Sequence, residues 1–334
     1  MVKLYSLELM IVKNGVTYKA YYTKLKGFIV KKNIKILIFI SVFSFTALAI
    51  FFSGKLTKNR ESSPQSAKKI CPLCSCGKTL HKNHVKLYGE EIEDTNILFN
   101  SENFYVAIDN YPVCEDHILI VPKEHKFSYS VLDKHLKYEF EAIIRTLSDI
   151  VGTKEYGLFE HGSNMVGIEQ KGCGNSIYHA HMHFIPQLRM NQKDIIDLCT
   201  VGEKDLVITL KSGYELENCC TNRNPQQTIL GYIKELPTKK PYLFCYYSNA
   251  KKEALCVPDE IIQGGVPSQF FRRVFAEHFQ KNTEKTFWNW KNQDDVQKSI
   301  QFRKTITRKT IDKFTDKKKV KATFEKNLNV VKMA

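Results

Sequence analysis

His179, His181 and His183 alternate within an apolar, β-prone run, SIYHAHMHFIP over residues 176–186. On a strand, that spacing puts three imidazoles on one face and Ala180, Met182 and Phe184 on the other. Packing alone does not explain three histidines side by side on an exposed face, so this face is expected to carry chemistry. An imidazole nitrogen attacks electrophiles or binds a metal, depending on which nitrogen holds the proton. A second group of the same kind is Cys71-Pro72-Leu73-Cys74, two thiols at metal-binding spacing.

The elements that must hold these residues are legible around them. Residues 104–108 (FYVAI) and 117–121 (HILIV) read as two strands, with Tyr111-Pro112 in the connection. Leu132, Leu136, Phe140, Ile143, Ile144, Leu147 and Ile150 recur at steps of three and four, the stripe of an amphipathic helix. Residues 156–160 form a short strand, followed by a loop carrying Gly162, Gly167, Gly172 and Gly174. After Pro186, a short helix is expected from Asn191 to Leu198. Beyond it come a strand at 206–210, a hairpin of 241–247 with 253–257, and a helix over 268–279 (SQFFRRVFAEHF).

The 334 residues carry a net charge of +15, but unevenly. Residues 1–69 hold thirteen Lys/Arg and two Glu, and residues 303–334 hold eleven Lys/Arg against three acids. The remainder, with twenty-six Lys/Arg and thirty Asp/Glu, is mildly acidic, unlike a nucleic-acid module with a basic folded face. Ten irregularly spaced cysteines in so long a chain do not describe a small disulfide scaffold.

This divides the chain into a basic segment at 1–35, an apolar run at 36–53, a polar linker at 54–69, a domain at 70–190, an extension at 191–302 and a basic tail at 303–334. The run at 36–53 (ILIFISVFSFTALAIFFS) has eighteen positions without a charge. It is expected to be a single membrane-spanning helix with the catalytic domain on the cytosolic side. The alternative is a signal segment cut after Ala47-Leu48-Ala49, leaving a secreted protein.

His179-Ala180-His181-Met182-His183, preceded by Gly174-Asn175-Ser176, resembles the His-φ-His-φ-His motif of the histidine-triad (HIT) superfamily. DHILIVPKEH over 116–125 is similar to that family's upstream Gly-His-hydrophobic-Pro-Lys-x-His stretch, with Asp116 where the family commonly has Gly. The likeness covers roughly 71–190. It implies an α+β fold, an antiparallel sheet with a long helix, followed here by a smaller α/β extension. It also implies a nucleotide hydrolase or nucleotidyl transferase acting at an α-phosphate of a nucleotide or nucleotide conjugate. In that scheme His181 is the nucleophile and His183 bonds the phosphate. Gly174, Asn175 and Ser176 stabilise its charge and assist the leaving group, and Asp109 contacts the ribose.

The zinc-containing branch of the superfamily implies a structural zinc on Cys71, Cys74, His125 and His179, with Cys76 an alternative for either cysteine and His81 or His84 for His125. The segment around Val266-Pro267-Ser268 with Trp288-Asn289-Trp290 faintly resembles extensions of larger, Cwf19-like members. In that segment Arg272 and Arg273 read either as groups within reach of substrate phosphates or as solvated helix residues. The competing function is a nucleotide-binding or RNA-processing adaptor with little turnover; a homodimer and nucleic-acid contact stay open.

Overall fold

A computed structural model describes residues 4–13, 16–25, 71–74, 78–88, 96–163, 177, 179–188, 193–194, 196–197, 208–215, 219–221, 229–238, 240–248, 253–263, 265–266, 269–279, 287–289 and 291–333. It divides into two units, 1–63 and 64–334. In the first, β1 (Leu4–Lys13) and β2 (Val16–Leu25) pair antiparallel as a hairpin, Lys13 opposite Val16, where only a basic segment was expected. The expectation of a membrane-spanning helix is overturned: among the described residues no helix is long and apolar enough to cross a membrane. The run at 36–53 itself lies outside the described residues.

The second unit is built on one antiparallel sheet of eight strands. These are β3 (Ile97–Asn100), β4 (Phe104–Ile108), β5 (Ile118–Pro122), β6 (Tyr156–Gly162), β7 (Met182–Pro186), β9 (Cys220–Thr221), β10 (Tyr242–Tyr247) and β11 (Ala254–Pro258), in spatial order β3-β4-β5-β7-β6-β10-β11-β9. A minor pair, β8 (Thr209–Leu210) with β12 (Ile262–Gln263), stands apart from it. The hairpin expected at 241–257 is β10–β11, and β10 pairs with β6, so the extension continues the sheet that holds the triad.

Strands β4, β5 and β7 are buried along their whole length, because both faces are covered. The period-2 alternation sorts their side chains. Phe104, Val106, Ile108, Ile118, Ile120, Met182 and Phe184 point towards α2 (Lys134–Val151), whose Phe140, Ile143, Ile144 and Leu147 complete one core. Short helix α3 (Ile229–Glu235) and the C-terminal α6 (Lys317–Met333) pack on that face too, through Tyr232 and Val320. Helix α2 ends at Gly152, whose φ of 75° lies in the left-handed region that a glycine adopts without strain.

On the opposite face lie two separate clusters. Tyr105, Ala107, Leu119 and Val121 meet Leu73 and Leu80, the latter from α1 (Lys78–Tyr88). Phe159, Ile185, Leu243 and Cys245 meet Phe271, Val274 and Phe275 of α4 (Phe270–Phe279). Between α1 and α4 a narrow gap reaches this face, and Leu119 and His183, in register on β5 and β7, line it.

The tail expected as a basic appendage is two ordered helices, α5 (Gln293–Lys313) and α6. Helix α5 also accounts for Asp116 at a position where glycine is usual. Asp116 has φ 57°, a left-handed backbone that Asp enters at a cost. Thr310 Oγ1 accepts its N–H at 3.0 Å and Lys313 Nζ holds its carboxylate at 2.5 Å, which compensates.

Glu160 on β6 ties the site's floor to the 3-10 turn Tyr129–Val131. Its carboxyl accepts the Tyr129 N–H at 3.0 Å and meets the Tyr242 hydroxyl at 2.5 Å. Gly162, two residues on, is required: a Cβ there would lie 2.3 Å from the Tyr242 ring. Burial pushes the Glu160 carboxyl from 4.5 up to about 8, against the pull of both hydrogen bonds. Between those values the folded chain keeps a proton that the unfolded chain releases. Stability should therefore decline as pH rises from about 4.5 to about 8, by roughly 3–5 kcal/mol from this group alone. Glu160→Gln is expected to flatten that slope in urea-unfolding measurements; identical slopes in the two proteins would rule the account out.

Candidate functional site

The gap between α1 and α4 is a cavity of about 290 Å³ lined by Asp109, Asn110, Tyr111, His161, His181, His183, Gln269 and Arg272 among others. That is near the lower end of the range for small-molecule sites. The triad is not one continuous strand: β7 begins only at Met182. The Ala180 N–H turns aside to the Lys126 carbonyl at 2.7 Å, so His179 and His181 precede the ladder. Nor is the face exposed. His179 is fully buried, His183 is 6% exposed and His181 is half-buried at the cavity wall. Ala180, Met182 and Phe184 do enter the core on the other side, as alternation requires.

Hydrogen bonds assign a tautomer to each ring. His181 Nδ1 lies 2.7 Å from the His179 carbonyl, an acceptor only, so Nδ1 carries the proton and Nε2 keeps its lone pair. The Val113 N–H donates to His117 Nδ1 at 3.2 Å, which leaves the His117 proton on Nε2. His117 Nε2–H then donates to His183 Nδ1 at 2.9 Å, and His183 presents Nε2–H as a donor. The result is one bare nitrogen and one N–H on neighbouring residues of the same cavity, rings 5.0 Å apart.

Burial keeps these rings neutral. It lowers His117 and His161 to about 3 and His183 well below its ordinary value; Asp109 opposes the shift at His117. His181 is lowered too, by burial against the pull of the His179 carbonyl and Asp109. Phe159 stacks on His183 with ring centroids 4.1 Å apart, which fixes its plane.

Asp109, expected at a ribose, is engaged by the protein itself. Oδ1 accepts the Tyr111 N–H at 2.7 Å, and Oδ2 sits 2.5 Å from Arg272 Nη1. Burial alone would raise its carboxyl, but Arg272 and His117 hold it below the usual range. Asp109, His117 and His183 bring three ligand-type atoms together, but the two rings are bonded to each other and the Arg272 guanidinium already holds Asp109 Oδ2. Gly174, Asn175, Ser176 and Cys76 lie outside the described residues.

Cys71, Cys74, His125 and His179 form the other group, with all four ligand atoms within 4.8 Å of one another. Cys74 Sγ is 2.9 Å from His125 Nδ1 and 3.5 Å from His179 Nδ1; Cys71 Sγ is 3.4 Å from His179 Nδ1. Tetrahedral bonds of about 2.0–2.3 Å separate ligand atoms by about 3.3–3.8 Å, so the set has the size of a four-ligand metal site. His179 Nε2 points at the Pro122 carbonyl at 2.8 Å and must donate, which frees Nδ1 as a lone pair facing both thiols. Burial lowers His179 to about 4, so the imidazole is neutral, as a ligand must be. His84 is not a member: it is buried in α1 against Tyr88. His81 lines a different groove, with Phe324 of α6.

Three residues of the site had no clear sign in the sequence. His117 lay inside a recognised motif without a role, His161 followed an unremarkable Phe-Glu, and Gln269 fell within the helix expected over 268–279, which begins only at Phe270. Each is identified only by what it faces. His117→Leu removes the donor to His183 Nδ1 and should slow any reaction that uses His183 by about 10–100-fold. His117→Gln, which keeps a donor, should recover part of that; equal rates in the two variants would rule out the relay.

An antiparallel sheet presenting a neutral histidine group beside a Cys₂His₂ cluster defines a class of protein. The family model described as HIT domain matches residues 90–190. An uncharacterized 16.1 kDa HIT-like protein of Mycoplasma pneumoniae and an uncharacterized HIT-like protein of Mycoplasma genitalium are each 28% identical over 87 residues, 26% of this chain. The match spans only 58% and 60% of those relatives. Among solved structures, a HIT family hydrolase from Clostridium thermocellum is similar at 19% identity over 36% of this chain and 94% of its own, with a TM-score of 0.26. Yeast Ap4A phosphorylase in complex with AMP is similar at 14% identity over 53% of this chain and 63% of its own, with a TM-score of 0.29. Residues 90–190 are a HIT domain, of the histidine-triad superfamily.

Proposed function

We propose that the chain is a nucleotide hydrolase or nucleotidyl transferase that works through a covalent nucleotidyl-His181 intermediate. The observation that supports it best is the tautomer pair: His181 with a bare Nε2 and His183 with an Nε2–H, in one cavity. His181 Nε2 would form a bond to the α-phosphorus as the bond from phosphorus to the leaving oxygen or nitrogen breaks, the leaving group taking its electron pair and a proton from solvent. Water, or an acceptor hydroxyl, would then form a new P–O bond as the P–N bond breaks. Nitrogen recovers its pair and the acceptor's proton passes to solvent. His183 Nε2–H, with the amides of Gly174 and Asn175 and the Ser176 hydroxyl, would hold the charge that develops on phosphorus oxygens.

Cys71, Cys74, His125 and His179 would hold a zinc ion. Four protein ligands leave no open position, so the metal would supply structure. His179 belongs to both parts: its ring faces the thiols and its carbonyl orients the His181 ring. Incubating the full chain with α-³²P nucleotides should give a transient protein label that is acid-labile and base-stable, as a phosphoramidate is. Nucleotide binding with no label from any nucleotide would favour the adaptor reading.

A further inference from the structure

Two arginines from outside residues 90–190 stand at the cavity wall, one lining it and one behind it. Arg272 of α4 lines it, 5% exposed, and is bound to Asp109 Oδ2 and, through Nη2, to the Tyr111 carbonyl. Its Nε is buried without a hydrogen-bond partner among the described residues. Arg303 of α5 lies behind the same wall, 1% exposed, its guanidinium 5.3 Å above the Tyr111 ring. Its Nε, Nη1 and Nη2 all lack hydrogen-bond partners among the described residues.

Among the described residues the charges do not balance. Asp109 is a single carboxylate against two guanidiniums, and the next acids along the chain are taken: Glu115 by Lys309 and Lys313, Asp116 by Lys313. His183 takes the His117 N–H on its Nδ1 and so carries no charge, and the lasting positive charge at this wall comes from the arginines. A buried guanidinium such as Arg303, held over a ring but without hydrogen bonds among the described residues, is disfavoured unless an anion near it completes the group.

We propose that Arg272 and Arg303 form an anion subsite that takes a phosphate of the substrate other than the one attacked. Arg272 is the contacting group. Arg303, held over the Tyr111 ring behind it, adds positive charge to that wall. The inference rests on the nucleotide reading above and narrows it. The preferred substrates are phosphoanhydrides, with at least two phosphates in series, because a phosphoramidate's neutral amine leaving group has no use for a buried cation.

The test is calorimetric titration of the full chain with inorganic pyrophosphate, alongside melting curves. Wild type should bind pyrophosphate roughly tenfold or more tightly than Arg272→Lys or Arg303→Met. Without ligand, Arg303→Met should melt no lower than wild type, since it removes an unpaired buried charge and keeps the volume. The subsite is refuted if wild type ignores pyrophosphate, if both variants bind it as wild type does, or if Arg303→Met fails to fold. The two readings separate cleanly. A label on His181 with pyrophosphate affinity indifferent to both arginines leaves the nucleotide reading standing alone. Arginine-dependent pyrophosphate binding with no label from any nucleotide leaves only the subsite.

Discussion

Replacing His181 by Ala should abolish the nucleotidyl label and lower turnover by about 10⁴-fold or more, the scale on which loss of a nucleophile is felt. Binding should survive, because the cavity walls, Arg272 and the His117–His183 pair are untouched. The expectation follows from one proton: the His179 carbonyl keeps it on His181 Nδ1, so in the proposed reaction Nε2 would meet phosphorus as a free base. Burial, which lowers this ring's pKa, works in the same direction. His183→Ala should be milder, on the order of 10²–10³-fold, since it removes one stabilising donor and leaves the attacking group in place. Single-turnover rates with an α-labelled nucleotide measure both. A His181→Ala protein that still turns over substrate at near wild-type rate would place the chemistry elsewhere in the cavity.

Cys74→Ser should lower metal content from about one zinc per chain and reduce stability with it, because a site absent from the unfolded chain adds its binding free energy to folding. Cys74 is the thiol closest to His125 and also reaches His179, so its loss opens the set on two sides. The expected cost is roughly 3–5 kcal/mol, in the range where loss of a structural metal falls. Activity should drop as well, since His179, which the zinc would anchor, also supplies the carbonyl for His181. Metal analysis with thermal unfolding, before and after a chelator, reads both effects. Full zinc and an unchanged melting temperature in Cys74→Ser would end the structural-zinc proposal.

Several of these features were decided within short stretches of sequence. Three histidines at a spacing of two, a two-spaced cysteine pair, the upstream HILIVPKEH stretch and the helical stripe from 132 to 150 are each encoded in a few consecutive residues. Local periodicity is sufficient there, because a strand or helix imposes its own repeat on whatever it must bury. The strand pairing of β10 with β11 was legible for the same reason: two apolar runs and a short connection leave little choice.

The rest depended on contacts between residues far apart in the chain. Asp109 and Arg272 are 163 residues apart, and no local pattern marks either as the other's partner. The departure of this segment from the ladder is set by the Lys126 carbonyl, which takes the Ala180 N–H, and the His179 ring is oriented by the Pro122 carbonyl, not by the alternation of its own segment. Tertiary packing likewise turned a basic tail into α5 and α6, because Lys313 and Thr310 meet a strained Asp116 and Arg303 meets Tyr111. Sequence spacing named the residues able to attack and to bind metal. Which nitrogen holds each proton, and where the positive charge lies, followed only once the sheet had closed around them, because hydrogen-bond partners and burial are properties of the folded chain.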